Sequence, residues 1–214
     1  MTVTERRSGS RRRSAAETKR IVLDVARHRI ENEGAVSLKI SDIVRDTKIA
    51  DVIIYRHFGD RRGVIIEALS EFWLEFTRAN LEEARRAVRQ APEGRVTALL
   101  MASLMVRPED PVYRRRRWLR VQTLAAAQEF PELLERIAAE QRLANEELED
   151  LLEEVRLKNG LGPLPVPVQS IRTVMLGTSI SYVLDDAAGP SLTDEMQLRF
   201  WSHFFLTMGL AVPE

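Results

Sequence analysis

The chain has 214 residues, 44% hydrophobic and 30% charged, the balance of a globular protein able to bury a sizeable core. It has no cysteine, which excludes disulfides and thiolate metal sites and makes a reducing cytoplasm the expected setting. The formal net charge is zero but unevenly spread: residues 1–62 carry 15 Lys+Arg against 9 Asp+Glu, a surplus of +6, which leaves 17 against 23, or −6, for residues 63–214.

A basic first third on an acidic body suggests that one end meets a polyanion. The N-terminal segment lacks the apolar stretch of a secretory signal, and no run approaches the roughly 18 apolar residues of a membrane span. Residues 1–14 hold five arginines with Ser and Gly and no apolar period, so they read as a disordered basic arm. From about Ala16 to Glu33 the residues Ile21, Val22, Val25, Ala26 and Ile30 follow helical spacing, and Gly34 ends the run. Ile40, Ile43 and Val44 make a short second helix. Asp46 to Ile49 is a tight connection, and Asp51 to Phe58 is a third helix, too short to persist in water without packing. Asp60 is placed to cap a long fourth helix running towards Gln90.

Beyond Pro92–Gly94 the pattern stays helical, with helices expected near 95–106, 111–128, 131–158, 167–186 and 192–210, separated by Pro- and Gly-containing breaks. No alternating run supports a strand, so the fold class is all-α. The expected organisation is an arm over 1–14, a helix-turn-helix head over 15–62 and a helical body over 63–214.

Three short helices followed by a long one form a helix-turn-helix arrangement. Leu38, Ile43, Val44, Ile49 and Ile54 can lock the second and third helices together, leaving one face of the third free for a major groove. The segment Thr47-Lys48-Ile49-Ala50-Asp51-Val52-Ile53-Ile54-Tyr55-Arg56-His57-Phe58, followed by Asp60-Arg61, resembles the signature of the TetR family of transcriptional regulators. The resemblance extends upstream through Ile21–Ala26, Glu33-Gly34 and Ser41-Asp42-Ile43, covering roughly residues 16–70.

That resemblance implies roles. Tyr55 and His57 correspond to phosphate contacts, and Arg61 to a basic residue meeting the backbone at a helix N-terminus. Lys39, Ser41, Asp51, Val52, Ile53 and Arg56 lie where base edges or neighbouring phosphates are reached; Arg56 suits a guanine, Asp51 a cytosine amino group, and Val52 or Ile53 a thymine methyl. The sequence also departs from the family pattern. Lys48 replaces the turn glycine, at about 1 kcal/mol if that position is left-handed. Ala50 replaces the usual hydroxyl, leaving Asp51 to cap, and Lys39 replaces a capping Thr.

In the body, the helices expected at 167–186 and 192–210 carry apolar residues on more than one face, so something must cover the second face. The resemblance implies a homodimer through these two helices, with two recognition helices for a palindromic site. Trp73, Phe76, Met101, Met105, Trp118, Gln122, Leu143 and Tyr182 are candidates for an apolar effector pocket, with a neutral or weakly polar small molecule expected because no unpaired charge is evident on those faces. The basic run Arg114–Arg117 reads as a solvated face or a set of ion-pair partners. His28, His203 and the acidic residues of 146–154 do not form a metal site, and no cofactor is expected. No paired-carboxylate, Ser/His/Asp or phosphate-loop pattern supports an all-α enzyme. An interaction module built on the apolar C-terminal helices, with a degenerate head, is the other alternative.

Overall fold

The computed structural model describes residues 14–91, 95–105, 107–189 and 192–213; apart from Ser14, the expected basic arm lies outside them. Among the described residues the fold is all-α, with nine α-helices. α1 (Ala15–Glu33) starts where the Ser14 hydroxyl accepts from the Glu17 amide and stops at Gly34, whose φ of 83° is left-handed. Its buried face is Val22, Leu23, Ala26 and Ile30. A 3₁₀ turn over Ala35–Ser37 leads into α2 (Ile40–Thr47) and α3 (Asp51–Phe58).

The turn between α2 and α3 carries the expected strain. Lys48 sits at φ 59°, ψ 22°, the left-handed conformation that glycine tolerates best. Thr47 holds it there: its hydroxyl donates to the Ile43 carbonyl at 2.7 Å and accepts from the Ile49 amide at 3.1 Å. α4 (Arg61–Arg89) is capped by Asp60, as expected, through the Gly63 amide at 2.8 Å. Its 29 residues span roughly 43 Å. Gly63 is obligatory for a reason that composition does not disclose: a β-carbon there would drive into the Phe58 carbonyl.

α5 (Ala98–Ser103) is shorter than the expected 95–106. Its approach is pinned in extended form: Val96 exchanges hydrogen bonds with the Asn159 side chain at 2.9 and 2.8 Å, and the Ala98 amide donates to the Val212 carbonyl at 2.8 Å. α6 (Pro111–Glu129) and α7 (Pro131–Lys158) both open on proline, which lacks the amide that a first turn would leave unbonded. α8 (Val168–Ala188) and α9 (Asp194–Thr207) close the chain. α9 ends earlier than expected because the chain reverses at Gly209 (φ 59°), returning Leu210 and Ala211 to the core.

The buried apolar side chains form two clusters. One runs from α1–α3 through Val64–Phe76 of α4 to α6 and the start of α7, without a break at residue 62. The other joins the far end of α4 to α5, α7, α8 and α9. Ion pairs brace the head: Lys19–Glu67 and Arg27–Glu75, both at 2.6 Å, tie α1 to α4, and Arg62–Glu132 ties α4 to α7. In the basic run opening α6, Arg115 is exposed and reaches Glu31 at 3.4 Å, while Arg114 and Arg117 are used internally. Arg117 is buried, donates to both Asp186 oxygens at 2.8 and 2.9 Å and to the Pro108 carbonyl, and Arg114 adds a further contact to Asp186.

Candidate nucleic-acid interface and effector cavity

α3 presents one side to the core through Ile54 and Phe58. The opposite side is open. Asp51, Val52 (68% exposed), Tyr55 (44% exposed) and Arg56 lie on it, at the spacing that places residues one helical turn apart. Lys39 and Ser41, at the entry to α2, are exposed as well. Arg56 makes no ion pair or hydrogen bond with any described residue, so its guanidinium fork is free. Asp51 turns one oxygen to the Val52 amide at 2.7 Å, supplying the cap that Ala50 lacks. His57 is half-buried with its ring edge-on to Phe58.

Two expected contacts are placed differently. Ile53 packs against the core and is half-buried, because α3 is short and needs that side chain to stay docked. Arg61 points inward: Nε donates to the Leu38 carbonyl at 2.5 Å, and Nη2 to the Ala35 and Val36 carbonyls at 2.9 and 2.5 Å. Three of its five donors are thereby spent on the 3₁₀ turn. These bonds tie that turn, and through it the start of α2, to α4.

A cavity of about 110 Å³ lies inside the body. α4 contributes Phe76, Thr77 and Leu81, α5 and the residues after it Met101 and Met105, α7 Leu148 and Leu152, α8 Met175 and Tyr182, and α9 Trp201. Phe76, Met101, Met105 and Tyr182 therefore line it as expected from sequence. Trp73, Trp118, Gln122 and Leu143 do not. Trp73 is buried in the head-side cluster, Trp118 is 42% exposed on the outer side of α6, Gln122 is half-buried and Leu143 is exposed. Trp118, Gln122 and Leu143 fall on helix faces turned away from the cavity, a rotation that apolar character alone does not fix, whereas Trp73 lies on the same stripe of α4 as Phe76 and Thr77 but one turn nearer the head.

The cavity wall also holds charge that the sequence does not reveal. Arg120 and Arg172 both line it. Arg120 is 8% exposed; its guanidinium lies 4.8 Å from the ring centres of Trp73 and Phe76, and its Nε is buried with no hydrogen-bond partner. Burial, and then the neighbouring Arg172 charge, push its pKa down to about 10; burial lowers that of Arg172 too. The Ser179 hydroxyl is buried without a partner. The Tyr182 hydroxyl bonds the Gln197 side chain, and burial pushes its pKa up to about 12, so it stays neutral. The expectation of a charge-free lining thus does not hold.

The outward faces of α8 and α9 form apolar stripes. Val174, Gly177 and Leu184 are exposed along α8, and Met196, Phe200 and Leu206 along α9. Open space surrounds the Gly177 α-carbon. No described helix is long and apolar enough to cross a membrane, and no group of metal-ligating side chains stands among the described residues.

No protein-family model matches the sequence, and no curated protein matches it. Solved structures do match, over nearly the whole fold. A Mesorhizobium loti protein assigned to the TetR-family transcriptional regulators superposes with a TM-score of 0.69 at 14% identity, covering 92% of this chain and 96% of its own. A transcriptional regulator from Saccharomonospora viridis in complex with choline gives 0.65 at 13% identity, covering 89% and 96%. FadR of Bacillus subtilis in complex with stearoyl-CoA gives 0.55 at 16% identity, covering 86% and 97%. The chain therefore has the all-helical fold of TetR-family regulators, and the resemblance read from the α3 segment extends in three dimensions to the body.

Proposed function

We propose that the chain is a ligand-responsive, sequence-specific DNA-binding transcriptional regulator of the TetR type, acting in the cytoplasm as a homodimeric repressor and not as an enzyme. The observation that carries this reading is the open face of α3. Asp51, Val52, Tyr55 and Arg56 are held outward on a helix whose other side is locked into the core, and Arg56 has no ion-pair or hydrogen-bond partner among the described residues. A helix displayed in this way fits a major groove; in this reading Tyr55 and His57 meet phosphates, Lys39 and Ser41 base edges or neighbouring phosphates, and Arg56 and Val52 base edges.

The apolar stripes of α8 and α9 support dimerisation. Phe200 stays 48% exposed although its ring meets those of Trp201 and Phe204, and Gly177 allows a facing helix to approach closely. A two-fold pairing there supplies two α3 helices for a palindromic site. The body cavity is the effector site in this reading, a mostly apolar small molecule binding beside α4 and releasing the operator. Because α4 joins cavity and head in one rigid element, a ligand that favours one tilt of α4 changes the spacing of the recognition helices.

Selection of the intact protein against random duplex DNA tests this directly. An enriched palindrome with half-sites about one helical turn apart is the expected result. No enrichment, or a single unpaired half-site, overturns the dimeric-regulator reading.

A further inference from the structure

Among the described residues the other two buried arginines have hydrogen-bond partners: Arg117 in Asp186 and a carbonyl, Arg156 in the carbonyls of Gly162 and Gly209. Arg120 is the exception. Among the described residues its guanidinium meets no carboxylate and no carbonyl, only the faces of Trp73 and Phe76. Those rings stabilise the cation while leaving its N–H donors unused. Arg172 is nearly as isolated, with a single 3.5 Å contact to the Gln141 side-chain oxygen. Both line one cavity, together with the partnerless hydroxyl of Ser179, and the remaining lining is mainly aliphatic and aromatic.

Two like charges, one buried and one half-buried, with no counter-charge beside them are costly, and burial lowers the pKa of each. With a pKa of about 10, Arg120 is still charged at neutral pH. What the wall lacks is an anion. We propose that the body cavity binds an amphiphilic anion, a carboxylate or phosphate group on a compact apolar body, with the anionic group taken by Arg120, Arg172 and the Ser179 hydroxyl. The apolar part then lies against Phe76, Leu148, Leu152 and Met175. A volume of about 110 Å³ is of the order that accepts a benzene-sized body, which sets the scale of the apolar part. A cationic ligand is excluded by the same two charges. This deepens the effector reading above and rests on it for the regulatory consequence, while the binding itself stands on the cavity alone.

Calorimetric titration of the full-length protein with four six-carbon probes, hexanoate, hexyl phosphate, 1-hexanol and hexylamine, tests the proposal. At least one of the two anions should bind about tenfold or more tighter than hexanol, and hexylamine should not bind; the ranking of hexanoate against hexyl phosphate separates the two anionic sources. Arg172→Gln should weaken the preferred anion about 10- to 100-fold. It should leave the unliganded melting temperature equal or higher, since a half-buried like charge beside Arg120 has been removed. A purely structural Arg172 would instead lower the melting temperature. Arg172→Lys, which keeps the charge but loses the planar fork, should give an intermediate affinity and serves if the Gln variant does not fold. Hexanol binding as tightly as the anions, neither anion binding, or anion affinity unchanged in the Arg172 variants overturns the proposal. Duplex binding without ligand is measured in parallel: its loss would remove the regulator reading and leave the anion site standing, and the reverse result would do the opposite.

Discussion

Arg56 and Arg120 both lack an ion-pair partner among the described residues, yet one stands on the open face of α3 and the other is buried in the body. On the head a free guanidinium costs little, because water solvates it until a base or phosphate replaces that water. Inside the body the same group is desolvated, and what faces it is the rings of Trp73 and Phe76 on one side and the cavity on the other. The two regions therefore advertise binding in different ways. The head does so by exposure and pattern, and the body by an uncompensated charge visible only once the helices are packed.

Arginines that are spent internally sharpen the contrast. Arg117 is the extreme case, buried against Asp186. Arg117→Ala should remove about 3–5 kcal/mol of stability, because it strips the main partner from a buried carboxylate. The melting temperature should then fall by on the order of 10 °C, as differential scanning calorimetry would register; a loss below about 1 kcal/mol would mean that Arg114 alone satisfies Asp186. Arg61 comes next. Its carbonyl contacts predict that Arg61→Ala lowers stability by about 2 kcal/mol and weakens all duplexes alike through a loosened α2. The salt slope of binding should stay unchanged, because a positioning residue does not exchange places with counterions. A slope flatter by about one unit would instead make it a phosphate contact. The smallest effect belongs to the α2–α3 turn. Lys48→Gly should raise stability by about 1 kcal/mol in urea unfolding, since Lys48 is the non-glycine residue held left-handed there. No gain would show that lysine sits in that conformation without strain.

The head was almost fully legible in the sequence because its signals are local. Asp60 as a cap, Gly34 as a stop, the left-handed turn at Lys48 and the buried face of α3 each follow from residues within one or two helical turns. Ile53 and Arg61 turn inward for a tertiary reason: whether a side chain on a short docked helix faces groove or core depends on how that helix rotates against α1 and α4. The body was legible as helices but not as a site. α7 was found at its observed bounds, whereas α5 and α9 shorten where Asn159, Val212 and Gly209 intervene, partners distant in sequence. Trp118 and Leu143 are apolar but outward, while Arg120 and Arg172 are charged but inward, so composition pointed to the wrong members of each pair. Gly63 belongs to the same class, because its constraint is a carbonyl of the preceding helix.

The central claim is that the basic head binds duplex DNA through the open face of α3 and the phosphates beside it. Its most direct test is the affinity of the intact protein for the selected duplex as salt is raised from about 50 to about 200 mM. Two heads with several phosphate contacts each predict a linear fall of log K against log salt, amounting to about a thousandfold over that range. Binding that is absent, or that does not change with salt, contradicts the claim.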